Sequence, residues 1–147
     1  MISIQHEDFD LNHEYLQLRD CNDGDGAIVT FSGLVRDYNA DGSVSGLFLE
    51  HYPGMTEKSL MDICVQARAK WPLGQIRIIH RIGQLNANEQ IVFVGVTSAH
   101  RAAAFSAAEF IMDYLKTQAP IWKQEHSAKG PKWVEAKDSD VTAASKW

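Results

Sequence analysis

One segment constrains the fold more than any other. Ser98 to Glu125, SAHRAAAFSAAEFIMDYLKTQAPIWKQE, reads as a single apolar helix with cationic side chains at both ends. Phe105, Ala108, Met112 and Leu115 recur at steps of three and four, which predicts one buried helical stripe. Ser98 is the expected N-cap, and Pro120, which lacks an N–H and clashes with the preceding turn, ends the helix. His100 and Arg101 then fall in the first turn, where unpaired N–H groups and the positive end of the helix dipole favour an anion. Lys116 falls near the other end, and Lys123 follows the apolar run Ala119, Pro120, Ile121, Trp122. In a chain of formal net charge −5, this gathering of cations suggests a pocket for a small anion.

The helix length poses a geometric problem. His100 and Lys116 are sixteen positions apart, and at about 1.5 Å of rise per residue this separates them by roughly 24 Å. One small substrate cannot touch both within one chain. If all four cations serve one site, a symmetric dimer solves the problem by joining the helix start of one subunit to the helix end of the other. The expectation is a homodimer with composite sites.

Composition narrows the class. With 147 residues and 45% hydrophobic content, the chain is expected to be one domain over 1–147 with a substantial core. Its negative charge argues against general nucleic-acid binding, which needs a broad basic surface. MISIQHEDFD lacks the basic start and apolar run of a secretory signal, and no stretch approaches the ~20 apolar residues of a membrane span, so a soluble cytoplasmic protein is expected. Cys21 and Cys64 form no CxxC pair and read as ordinary thiols; no metal-ligand spacing such as HExxH occurs.

Along the chain, Asp10 is expected to cap a short helix through Arg19. Ala27 to Arg36 and Leu47 to His51 read as strands, with the loop YNADGSVSG between them. Thr56 is the expected cap of a helix with Leu60, Ile63, Cys64 and Ala67 on one face, stopped at WPLG. Strands follow at Gln75 to Ile82 and Gln90 to Thr97, then the long helix, then a late strand around Trp133 to Ala136. Apart from the ends, this is the β-α-β-β-α-β order of split βαβ folds. It predicts an α+β sandwich with helices packed on a mostly antiparallel sheet.

Each candidate residue also has a plain structural explanation. Lys116 taken alone reads more readily as a solvated charge that favours the helix dipole. Lys123, held beside the indole of Trp122, is a candidate for partial desolvation and altered chemistry. Arg36 ends a strand expected to be buried, where an arginine needs a carboxylate or a phosphate, and composition alone leaves both open. His51 and His80 read as packed, hydrogen-bonded strand histidines, and Glu50 as a counter-charge to Arg36 or Arg81.

FSGLVR, LEHYPGMTEKSL, WPLG, HRIGQL, VFVGVTSAHRAAAF, FIMDYLKTQAPIWKQE and WVEAKDSD resemble, in order and spacing, the large catalytic subunit of the molybdopterin synthase family. The likeness runs from about Gly26 to Trp147, and EHYPGM with MDYLKTxAPxWK is its most distinctive part. It implies an α/β hammerhead type of fold with no resident cofactor. The implied reaction gives cyclic pyranopterin monophosphate two sulfur atoms, making the dithiolene of molybdopterin. Each sulfur arrives as a thiocarboxylate on the C-terminal Gly-Gly tail of a small ubiquitin-like carrier, and two carriers bind a homodimer to make a heterotetramer. Such a subunit needs no thiol nucleophile, but it needs fixed cations to hold the phosphate and guide the thiocarboxylate.

Carried over by position, the resemblance places the substrate pocket at Leu34, Val35 and Arg36, at His100 and Arg101, and at Lys116, Lys123, Gln124 and Glu125. Lys116 would polarise the thiocarboxylate carbonyl or act as acid/base, and Lys123 would stabilise the substrate or transfer a proton. Arg36, His100 and Arg101 would hold phosphate and pterin, Phe31 and Met112 would form an apolar wall, and Lys137 would be an additional cation. Gln124 stands where many relatives carry a second basic residue, and Leu34 where some do, which favours packing or backbone contacts at both. Two other classes compete with this reading: a non-catalytic module that binds a ubiquitin-like tail, and a hydrolase of cyclic phosphates. The latter lacks the usual metal cluster or nucleophile-base pair.

Overall fold

The computed structural model describes residues 1–36, 46–127, 130–134 and 138–147. Along the chain these form β1 (Ile2–Gln5), α1 (Leu11–Asp20), β2 (Ala27–Leu34), β3 (Gly46–His51), α2 (Met55–Lys70), β4 (Leu73–Arg81), β5 (Gly83–Asn86), β6 (Gln90–Ser98), α3 (Arg101–Gln118), β7 (Ile121–Ser127), β8 (Gly130–Val134) and α4 (Asp138–Ser145). The α+β class and the mostly antiparallel pairing expected from the sequence hold, since only β1 with β4 is parallel. The strands divide, however, into two sheets, ordered β1-β4-β6-β2 and β5-β3-β7-β8.

The first sheet is covered on both faces, which is why β4 and β6 read as nearly continuous apolar runs. One face presents Ile76, Ile78, Val92, Val94 and Val96 to α2 and α3, which answer with Leu60, Ile63, Phe110, Ile111 and Leu115. The other face sets Ile79 and Phe93 against Phe9 and Leu18 of the α1 region. Gly95 makes that close approach feasible, because a Cβ there would stand 2.4 Å from the Leu18 side chain. A smaller cluster of Val35, Leu47, Leu49 and Leu85 fills the corner between the sheets. No helix among the described residues is long and apolar enough to cross a membrane.

Several local expectations need correction. The buried face of α3 is Ala104, Ala107, Ala108, Phe110, Ile111 and Leu115; Phe105 is 61% exposed and Met112 only partly buried, so the buried stripe lies one position round the helix from the one the periodicity predicts. Ser98 ends β6 and donates its hydroxyl to Pro72 O, and His100 is the N-cap of α3. Gly54 caps α2, adopting φ +83°, a conformation that disfavours any residue with a Cβ. Thr56 is instead buried in the first turn, donating its hydroxyl to Tyr52 O. Asp10 does cap α1, accepting from the Asn12 and His13 amides. The late strand lies at β8, and the part of it expected at 135–136, like Lys137 and most of the loop after β2, falls outside the described residues.

Four elements were not foreseen: β1, β5, β7 and α4. The last turns back onto α3 through Lys146, which pairs with Glu109, and through the Trp147 indole N–H, which donates to Asp113. Trp147 meets Trp71 and Phe110 edge-on at 5.6 and 5.8 Å, a favourable geometry for aromatic rings.

Candidate active site

The start of α3 is open. His100 and Arg101 are exposed, and among the described residues neither holds an ion pair. The N-cap makes no side-chain hydrogen bond to the first turn, a setting suited to a bound anion. Arg101, Phe105, Ala108, Met112 and Lys116 follow one another at steps of four, three, four and four, and therefore lie along one flank of the helix. That flank carries a cation at either end and partly uncovered apolar side chains between them.

The exit of α3 is built by long-range contacts. After Gln118 the chain passes Pro120 and enters β7, which pairs with β3 so that Ile121 faces His51, Lys123 faces Leu49, and Glu125 faces Leu47. Opposed residues in an antiparallel pair share a face, and alternate residues of one strand do too. Lys123 and Glu125 thus lie on the face that packs Leu47, Leu49 and Ile121 against Val35. Gln124 lies on the opposite face, where its Oε1 accepts from the His126 ring at 2.8 Å. The structure therefore separates Gln124 from the two residues flanking it.

Two histidines adjoin this exit. His80, near the end of β4, is buried and donates its Nδ1–H to the Arg81 carbonyl at 2.7 Å, which leaves Nε2 with its lone pair. Burial pushes its pKa down to about 4; the carbonyl opposes this, and the nearby charges of Lys116 and His51 add to the depression. His80 is the packed, hydrogen-bonded residue expected, and the charge of Lys116 adds to what keeps its ring neutral. His51 differs from expectation. Its buried Nδ1 has no hydrogen-bond partner among the described residues and lies 3.9 Å from Glu57 Oε1. Its strand position is the one expected, and its place beside the exit of α3 follows from the pairing with Ile121 of β7.

Leu34, Val35 and Arg36 adopt three different settings. β2 ends at Leu34 after a bulge; Leu34 is 55% exposed, Val35 1% exposed and Arg36 exposed. Arg36 therefore does not end a buried strand, and it has no ion pair among the described residues. Glu50 is exposed and does not serve Arg81, whose carboxylate neighbours are Glu89 and Asp8. Phe31, 42% exposed, lies opposite Val94 on the helix-bearing face of the first sheet, and Met112 packs on the main core. The cysteines match expectation: Cys21 is exposed, and burial pushes the Cys64 thiol pKa up.

The model of the MoaE protein family matches residues 4–118. The chain belongs to the MoaE family. It is 56% identical to the molybdopterin synthase catalytic subunit of Yersinia pestis, over 99% of this chain and 96% of that one. Among solved structures, it is similar to the molybdopterin biosynthesis MoaE protein from Burkholderia ambifaria MC40-6, with TM-score 0.86 and 46% identity over 100% of this chain and 97% of that one. Molybdopterin synthase from Staphylococcus aureus gives TM-score 0.81 and 34% identity over 89% and 94%. For this MoaE family member the likeness spans both ends of α3 and both sheets.

Proposed function

We propose that this chain is the cytoplasmic catalytic subunit of a molybdopterin synthase, converting cyclic pyranopterin monophosphate to molybdopterin with two sulfurs from a thiocarboxylated ubiquitin-like carrier. The observation that carries the reading is 56% identity, over nearly the full length, to a relative bearing that name. The cations at both ends of α3 supply the chemistry. Lys116 meets the carrier's last glycine, where it polarises the thiocarboxylate carbonyl or exchanges a proton. Lys123 stabilises the substrate or moves a proton, and Glu125 shares its strand face. Arg36, His100 and Arg101 hold phosphate and pterin, with Leu34, Val35, Phe31 and Met112 as packing surface. Fixed cations in a site shielded from water stabilise developing negative charge without reorganising during the reaction.

The functional unit in this reading is a homodimer, with one carrier bound per subunit. A two-fold axis across the Arg101–Lys116 flank reverses the helix, bringing the Arg101 end of one copy to the Lys116 end of the other. The exposed Phe105 in that flank is the kind of apolar surface such a contact covers. The test is incubation with a thiocarboxylated carrier and the pterin precursor. A dithiolene product is expected; carrier binding without any pterin turnover would instead mark a binding module.

A further inference from the structure

The corner between the two sheets contains an ion pair, between a buried arginine and a partly exposed glutamate, that the functional reading leaves unused. Arg81, the last residue of β4, is 7% exposed. Its Nη1 donates to Gln90 O at 2.8 Å and to Glu89 Oε1 at 3.4 Å, and its Nε to His6 O at 3.1 Å. Glu89 belongs to the turn that carries the chain from β5 in the second sheet to β6 in the first. Its other oxygen accepts from the Asn86 amide at 2.5 Å, and its own amide donates to Asn86 O, closing a turn in which Asn88 takes φ 70°.

The outer backbone of that turn grips Val35. Asn88 N donates to Val35 O at 2.8 Å, and Val35 N donates to Glu89 O at 2.9 Å. Val35 is thus held from both sides one residue after β2 has ended, with its side chain among Leu47 and Leu49, the register partners of Glu125 and Lys123. Arg36 is the next residue along. We infer that the Arg81–Glu89 pair is a positioning unit for the reaction: by shaping the 86–89 turn it fixes Val35, and through Val35 it sets where Arg36 stands relative to Lys123.

This inference rests on the reading of Arg36 as a substrate-holding cation. A pair that merely stabilised the fold would affect melting and turnover alike, with no dependence on Arg36. The test uses Glu89→Gln, which keeps shape, and Arg81→Lys, which keeps charge. Each is made alone and with Arg36→Ala, and kcat and KM for the pterin precursor are measured in the complex with thiocarboxylated carrier. Glu89→Gln is expected to raise KM about fivefold with kcat within about twofold, and to add nothing further once Arg36 is gone. Independent, multiplicative effects on KM would overturn the inference. So would an unchanged KM in both single variants. An unchanged KM in Arg36→Ala alone would identify the failure as that of the Arg36 assignment, and the inference would fall with it.

Discussion

The two ends of α3 carry similar cations in opposite settings. At the start, His100 and Arg101 stand exposed on a first turn whose N-cap makes no side-chain hydrogen bond, and among the described residues neither holds an ion pair. At the exit, the charge of Lys116 acts on buried His80, and half-buried His51 stands opposite Ile121 of a strand whose register places Lys123 opposite a core leucine. The exit is organised by contacts distant in sequence, whereas the start offers charge without a neighbour to use it. Two half-sites of this kind make sense if each needs the other from a second copy.

The largest effect is expected at the exit. Lys116→Ala should lower the rate of product formation by on the order of 10²–10³, the range for removing one charge-stabilising group. Because Lys116 is exposed, stability should change by no more than about 0.5 kcal/mol. Single-turnover rates and a melting curve check both. A lysine that only favoured the helix dipole would leave turnover intact.

His80 makes the exit sensitive to acid. Its pKa is about 4 in the fold against an ordinary value of 6.5, so the folded state favours the neutral ring. That contribution is whole above pH 6.5 and is lost as pH falls towards about 4, because the unfolded chain takes up the proton first. The full loss is about 3 kcal/mol. Denaturant unfolding between pH 7 and 4 should show this slope, and His80→Gln should flatten it.

At the open end the effect is smaller and of another kind. Arg101→Ala or His100→Ala should raise KM for the precursor about tenfold with kcat nearly kept, as for loss of a binding contact rather than of transition-state chemistry. A fall in kcat with KM unchanged would erase the distinction between the two ends. Smallest of all, a thiol-alkylating reagent should modify exposed Cys21 well before Cys64, whose burial disfavours the thiolate.

Much of this was legible from local pattern. The long helix, its stop at Pro120, the Asp10 cap and the apolar runs of β4 and β6 follow from periodicity and capping chemistry. The division into two sheets did not, because pairing partners are set by tertiary contacts. β7 was obscure for a related reason: Ile121, Lys123 and Glu125 share its packed face, so polar residues stand where alternation would require apolar ones. That same irregularity concealed the separation of Gln124 from Lys123 and the placement of His51 beside the exit. The α3 stripe differs from its periodicity because Phe105 is apolar yet exposed, as a residue reserved for another surface would be.

Mixed dimers test the central claim most directly. Co-expression of His100→Ala and Lys116→Ala chains at equal levels yields dimers in which one of two composite pockets is intact. Measured at precursor concentrations well below KM, where the His100→Ala defect is fully expressed, random pairing should then restore about a quarter of wild-type activity. Activity no greater than that of either variant alone would contradict a pocket shared between two copies of the chain.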